Sequence, residues 1–352
     1  MYKGLGILLI VLHNFFHNIP PLIGQNEFYF NPQVTGKFID AMLGSPTEWV
    51  RALFSYFGHY GVQLFIFLSA YGLTKRYSSE RIRYVDFLKT RFSKIYLSFV
   101  ICVVVYICLG FLKSGLLTDE KVLFWDSLLW KLLLVSNFIP GEAMQPVGPW
   151  WFLPFILQFY LVFPLMLLAY KRMGVLFLLL LSLSALILVW VVNPGLIRIG
   201  LNLNYMVVGQ LPIFCLGIYF ADNPGARITP AIGMLALGVF IIGCFNPPVW
   251  VATGLAATIL LLILSGRYIK NLKAGSVSYR ILGFYGVISL HLFLVNGFLR
   301  GPFHQLAVSL DQWWLTILSG IFSLLFSTVF AVVLSKADYK IRDLIVRNPR
   351  YI

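Results

Sequence analysis

Long apolar runs separated by short polar segments dominate the chain. Ten of them, near residues 4–18, 58–74, 92–112, 150–170, 174–192, 205–221, 229–245, 249–265, 281–298 and 314–335, have the length and continuity of buried or membrane helices. Between them lie two longer stretches, 19–57 and 113–149, rich in proline, glycine, asparagine and aromatic residues, which are expected as outer loops. Within the second, residues 123–135 (LFWDSLLWKLLLV) spread tryptophans and charges through the apolar positions, which predicts an interfacial or re-entrant amphipathic helix rather than an eleventh span. The pattern predicts an all-α polytopic membrane bundle of about ten transmembrane helices, organised as a single integral-membrane domain over 1–352 with a short tail at 336–352.

Composition agrees with this reading. Of 352 residues, 59% are hydrophobic and 11% charged, and the mean hydropathy is +0.85, far from a soluble globular profile. The net charge of +14 does not point to nucleic acid, because the basic residues are concentrated in short loops. With alternate loops assigned to opposite sides, 20 of the 27 basic residues fall on one side, and the other side holds eight of the 13 acidic ones. The positive-inside rule then places both termini in the cytoplasm. No small-residue cleavage site follows the first apolar run, so it is expected to stay as a span. Cys102, Cys108, Cys215 and Cys244 lie in or beside apolar runs without metal-ligand spacing. They read as packing residues, and no metal site is expected.

The first run, MYKGLGILLIVLHNFFHN, sets Lys3, two glycines, His13 and His17 into an otherwise apolar helix-length segment. Ionisable groups at membrane depth are costly and usually mark a site. Lys3 and His13 are ten residues apart, about 15 Å of helical rise or roughly half a bilayer core. His13 and His17 share a face, with Asn14 beside them. The segment fits a basic anchor at one interface with a proton-handling group near the middle, and equally a first span with a snorkelling lysine and interfacial histidines.

Other polar positions are weaker signals. Ser69 and Tyr71 lie deep in the second run, where a hydroxyl often only bonds a helix carbonyl. Arg91 and Lys94 open the third run three residues apart, on one face, spaced to grip a phosphate or to serve as topogenic charge. Trp150 and Trp151 open the fourth from the outer side, as an aromatic belt would. Gln158 follows and should face the bundle interior, because an unpaired amide in lipid is expensive. His291 and Asn296 lie in the ninth run, where a lone histidine is more often a helix-helix hydrogen-bond partner than a catalyst.

In their order along the chain, KGLGILLIVLHN, GVQLFIFLSAYGLT, RFSK, WWFLPFILQFYLVFP, LPIFCLGIYFA and LGFYGVISLHLFLVNGF resemble the successive signatures of the membrane acyltransferase-3 family, ten-span bacterial O-acyltransferases that modify surface sugars. The resemblance implies transfer of an acyl group, usually acetyl, from cytoplasmic acyl-CoA to a glycan hydroxyl at the outer face of the bacterial cytoplasmic membrane. The partners it implies are the lipid bilayer, acyl-CoA (acetyl-CoA) as co-substrate rather than a permanently bound cofactor, and a glycan or lipid-linked sugar acceptor. On it, His13 or His17 is the base on the acceptor hydroxyl or the carrier of the acyl group, either of which needs a neutral imidazole. Lys3, Arg91 and Lys94 meet the CoA phosphates. Tyr71, Trp151 or Asn14 donate to the oxyanion, with Ser69 and Gln158 in support.

The chain departs from the family pattern at named positions. Lys3 stands where the family carries arginine. The family histidine, eleven residues on, corresponds to Asn14, with His13 one residue early and His17 three late. By the helical wheel His13 lies about 80° and His17 about 40° off the Lys3 face. Ile156 and Leu157 replace glutamates of many relatives, and Asn296 occupies the position of a second family histidine. A transporter or flippase of a lipid-linked glycan or small molecule, and a catalytically degenerate homologue, are the competing readings. The first predicts paired broken helices.

Overall fold

A computed structural model describes residues 1–20, 22, 27–78, 80, 82–114 and 120–347. Among these the secondary structure is helical, without a strand. The first apolar run forms α1 (Tyr2–Phe16), and the outer stretch after it folds into α2 (Pro32–Gly44) and α3 (Trp49–Phe57) instead of staying a loop. Then come α4 (Gly61–Tyr77), α5 (Tyr84–Ser114), the short α6 (Glu120–Leu132), α7 (Phe152–Met173), α8 (Val175–Arg198) and α9 (Val207–Asp222). The last third holds α10 (Pro230–Gly243), the single turn α11 (Pro247–Trp250), α12 (Thr253–Lys270), α13 (Val277–Val287), α14 (Ser289–Leu299), α15 (Gly301–Leu310) and α16 (Trp313–Arg347).

Every one of the ten apolar runs is helical, but they are not equal. Five helices, Tyr84–Phe111, Gly148–Met173, Val175–Arg198, Thr253–Lys270 and Trp313–Leu344, are long and apolar enough to cross a membrane. The ninth run is broken: α13 and α14 meet at 78°, and count as a sixth span only if taken together. The run of α1 has 15 helical residues, that of α9 16 and that of α10 14. At 1.5 Å per residue such helices reach about 21–24 Å, short of a ~30 Å hydrocarbon core. The tail from 336 continues α16 as far as Arg347, and 348–352 lie outside the described residues.

The helix α1 is central, packing on α3, α4, α13, α14 and α16. Glycine permits its closest crossing. A Cβ on Gly61 would stand 2.5 Å from the Gly6 carbonyl oxygen, so α4 rests backbone to backbone on α1 only because both positions lack a side chain. The main apolar core is built on aromatic stacking between α7 and α9, with Phe159 and Phe214 parallel at 3.5 Å between centroids. Trp150 and Trp151 belong to this core and are buried, not a belt at the lipid interface.

A separate polar staple joins α5, α14 and α16. Asp338 of α16 accepts from Ser98 of α5 at 3.0 Å, contacts His291 Nε2 of α14 at 3.2 Å, and pairs with Arg342 Nε at 3.0 Å. Arg342 also donates to the carbonyls of Ser93 and Lys94. His291 therefore joins helices, as a lone membrane histidine commonly does.

Candidate active site

Three histidines meet beside α1. His13 and His17 are one turn apart and their rings stack at 4.5 Å between centroids. His59, from the turn before α4, presents its ring edge-on to His13 at 5.2 Å. Gly58 makes that approach possible, since a Cβ there would lie 2.6 Å from His13 Cβ. His13 is the middle ring of the three.

The bonding partners define the state of two of them. His13 Nδ1 lies 3.0 Å from the Ser55 carbonyl and His17 Nδ1 lies 2.8 Å from the His13 carbonyl. A carbonyl only accepts, so each Nδ1 carries a proton, and Nε2 is the nitrogen left to act as base whenever the imidazole is neutral. His59 is 2% exposed, and neither of its ring nitrogens has a hydrogen-bond partner among the described residues. Buried polar nitrogens left this way are costly in a folded protein and point to a bound water or ligand.

These rings line a small chamber of about 50 Å³, together with Asn14, Glu27, Trp151 and Arg300. The Nη1 atom of Arg300 is buried and has no partner among the described residues. It is a ready donor for a developing oxyanion. Neither His59 nor Arg300 nor Glu27 is a candidate from sequence. His59 stands just ahead of the helix it serves, and its place is set by contact across 46 positions.

A larger cavity, about 420 Å³, lies alongside and falls within the usual size of a ligand pocket. Lys3, Arg76 and Arg91 line it and no acidic residue among the described residues does, while Phe65, Leu68, Phe152 and Leu290 supply apolar wall. The buried Nε of Arg91 has no partner among the described residues. Ile10, Val62 and Phe293 line both the cavity and the histidine chamber, so the basic cavity and the imidazoles are divided by one layer of apolar side chains.

The sequence candidates separate accordingly. His13, His17, Asn14 and Trp151 are gathered in the chamber, and Lys3, Arg91 and Ser69 line the large cavity. Ser69 spends its hydroxyl on the Phe65 carbonyl at 2.7 Å. Lys94 is exposed and does not line the cavity, whereas Arg76 does. Arg91 and Lys94 are three residues apart in α5, about 60° around the helix, and only the Arg91 side faces the cavity. Tyr71 lines neither space. Gln158 accepts from the Val207 backbone N–H at 3.0 Å and so caps the start of α9. Among the described residues, no three histidine, cysteine, aspartate or glutamate side chains are grouped to hold a metal ion.

Fold and site together define a multi-pass helical membrane protein with a cationic cavity set against a histidine chamber. The acyltransferase-3 family model, an acyltransferase domain, matches residues 2–336, and the chain belongs to that family. No curated protein and no solved structure matches it. One contact ties the first apolar run to the ninth: Asn14 Nδ2 donates to Asn296 Oδ1 at 2.8 Å. The two amides are bonded to each other, while the imidazole that lines the chamber stands one residue before Asn14, at His13.

Proposed function

We propose that this membrane acyltransferase moves an acyl group, acetyl, from cytoplasmic acyl-CoA to a hydroxyl of a cell-surface or lipid-linked glycan. In this reading all ten apolar runs enter the bilayer of a bacterial cytoplasmic membrane, both termini are cytoplasmic, and the short helices rely on their neighbours to complete the crossing. The CoA phosphates lie against Lys3, Arg76 and Arg91, and the thioester arm follows the apolar wall. The observation that carries the proposal is the layer of Ile10, Val62 and Phe293 shared by the basic cavity and the histidine chamber. An acetyl group is small enough to pass such a layer while the nucleotide stays behind.

At the chamber, His13 Nε2 takes the proton of the acceptor hydroxyl as its oxygen attacks the thioester carbon. Arg300 and Trp151 stabilise the oxyanion, the C–S bond breaks, and the proton leaves with the CoA thiolate. If the acyl group first rests on the imidazole, the same nitrogen is the nucleophile and the hydroxyl attacks second. His17 Nε2 is the alternative base. Mass spectrometry of surface glycans from cells lacking the protein, complemented with wild type or His13→Ala, tests the proposal. Loss of an ester-labile increment of about 42 Da, restored by wild type only, is the expected result for base catalysis by His13. Unchanged glycan acylation in every strain would remove the sugar acceptor, and activity with His13→Ala but not His17→Ala would move the base to His17.

A further inference from the structure

Glu27 lines the histidine chamber on one side and a second, polar pocket of about 30 Å³ on the other. Gln63, Asn204, Gln210, Trp250 and Thr253 are among its lining residues, and no lysine or arginine of the described residues is. Its volume admits a hydroxyl or hydroxymethyl arm, not a whole sugar ring. Three amides, a hydroxyl and an indole are groups suited to a neutral, hydroxyl-bearing arm.

The floor is held in place before any ligand arrives. Asn193 Nδ2 donates to Asn202 Oδ1 at 3.1 Å, and Asn193 Oδ1 accepts from the Leu203 backbone at 2.7 Å. The side-chain amides of Asn202 and Asn204 both donate to the Phe28 carbonyl, at 2.9 and 3.0 Å, and so fix the backbone next to Glu27. Gln210 Nε2 donates to the Asn204 carbonyl at 3.3 Å. Gln63 breaks this pattern of satisfied groups. It is 4% exposed, and its Oε1 has no hydrogen-bond partner among the described residues. A buried acceptor without a donor is expensive, and a hydroxyl from a ligand would supply the missing proton. Burial also pushes the Glu27 carboxyl well above the usual carboxylate range, which favours a neutral group able both to donate and to accept.

We infer that this pocket is the acceptor subsite, gripping one hydroxyl or hydroxymethyl arm of a neutral sugar so that a neighbouring hydroxyl passes Glu27 into the histidine chamber. The inference rests on the acyl-transfer reading. Glu27 is then a positioning residue, and the pocket selects against a sugar carrying carboxylate or phosphate at the gripped position, since no lysine or arginine among the described residues lines it to meet one.

Two variants test it. A Cβ on Gly254 would lie 3.7 Å from Gln63 Nε2, an ordinary contact, so Gly254→Ala places a methyl in the pocket without disturbing α12. Gln63→Met keeps the length of the side chain and removes the unpaired oxygen. Detergent-purified protein is given radiolabelled acetyl-CoA and glycan extracted from cells lacking the protein, separated by anion exchange into neutral and anionic pools. Wild type is expected to label the neutral pool. Each variant is expected to need about tenfold more of that pool for half-maximal labelling, as for loss of one buried hydrogen bond, with acetyl-CoA half-saturation unchanged. Unchanged acceptor dependence in both variants, or wild-type labelling mainly of the anionic pool, would overturn the subsite. If Gly254→Ala no longer binds acetyl-CoA, Gln63→Met alone decides. Failure of wild type to bind acetyl-CoA at all would defeat the acyl-transfer reading instead.

Discussion

Two buried polar sites in this protein, one around Asp338 and one around His13, differ in how far their hydrogen-bonding groups are satisfied. Around Asp338, both carboxylate oxygens are engaged, by Ser98, His291 and Arg342, and Arg342 is further tied to two backbone carbonyls. Of the histidine there, only Nδ1 lacks a partner among the described residues. Around His13, the third ring of the cluster, His59, has neither nitrogen bonded among the described residues, and the Nη1 of the facing Arg300 likewise has no partner there. A satisfied network holds helices together, and an unsatisfied one keeps bonding capacity for something that comes and goes. The same residue type thus serves as a staple in α14 and as the centre of a reactive chamber in α1.

Mutation should separate the two clusters. His13→Ala is expected to lower acyl transfer on the order of 10²–10⁴-fold, the usual worth of a positioned base, while thermal unfolding of the detergent-solubilised protein stays near wild type. A variant that unfolds instead would make the chamber a second staple. Asp338→Ala should do the reverse, destabilising by about 1–2 kcal/mol because Ser98 and the half-exposed Arg342 lose the acceptor they share. His59→Leu, which removes two unbonded nitrogens, should leave the melting temperature unchanged or raised and still slow transfer about tenfold, a loss on the scale of one hydrogen bond.

Smaller effects sharpen the comparison at the cationic cavity. Arg91→Ala should raise the apparent KM for acyl-CoA about tenfold, the scale of one charge-assisted hydrogen bond, with acceptor dependence unaffected. Lys94→Ala should barely move it, and an equal effect of the two would place Lys94 in the site after all. The smallest change concerns Lys131 in the outer segment. Burial lowers its pKa to about 7, against a smaller upward pull from Glu142, and its Nζ donates to the Ala143 carbonyl at 2.7 Å. From about pH 7 up to its ordinary pKa the unfolded chain holds a proton that the folded one has lost, so folding strengthens as pH rises through that window. Residues 133–149 should therefore resist proteolysis better at about pH 9 than at about pH 6, and Lys131→Met should abolish the difference.

Much of the architecture was legible in the chain. Hydropathy is a local property, and all ten runs are helices. It does not report how far a helix continues or where it breaks: α13 and α14 part at Ile288 within one apolar run, and α5 starts eight residues ahead of its predicted edge. The spacing of Arg91 and Lys94 correctly places them near one another, yet only Arg91 lines the cavity, and Arg76, one residue beyond Lys75 in a cluster that reads as topogenic, joins it.

The sequence by itself determined the membrane class, the helical runs and the importance of the first of them, because apolar continuity and a costly buried ion are visible one segment at a time. Family membership was legible in the order of its motifs. Only the tertiary structure decided that His59 completes the cluster, that Arg300 and Glu27 face it, that Asn14 is spent on Asn296, and that Trp150 and Trp151 are core. Each of these depends on which helix faces meet, and that is set by backbone approach at small residues such as Gly6, Gly58 and Gly61, between segments whose separation along the chain carries no periodic signal.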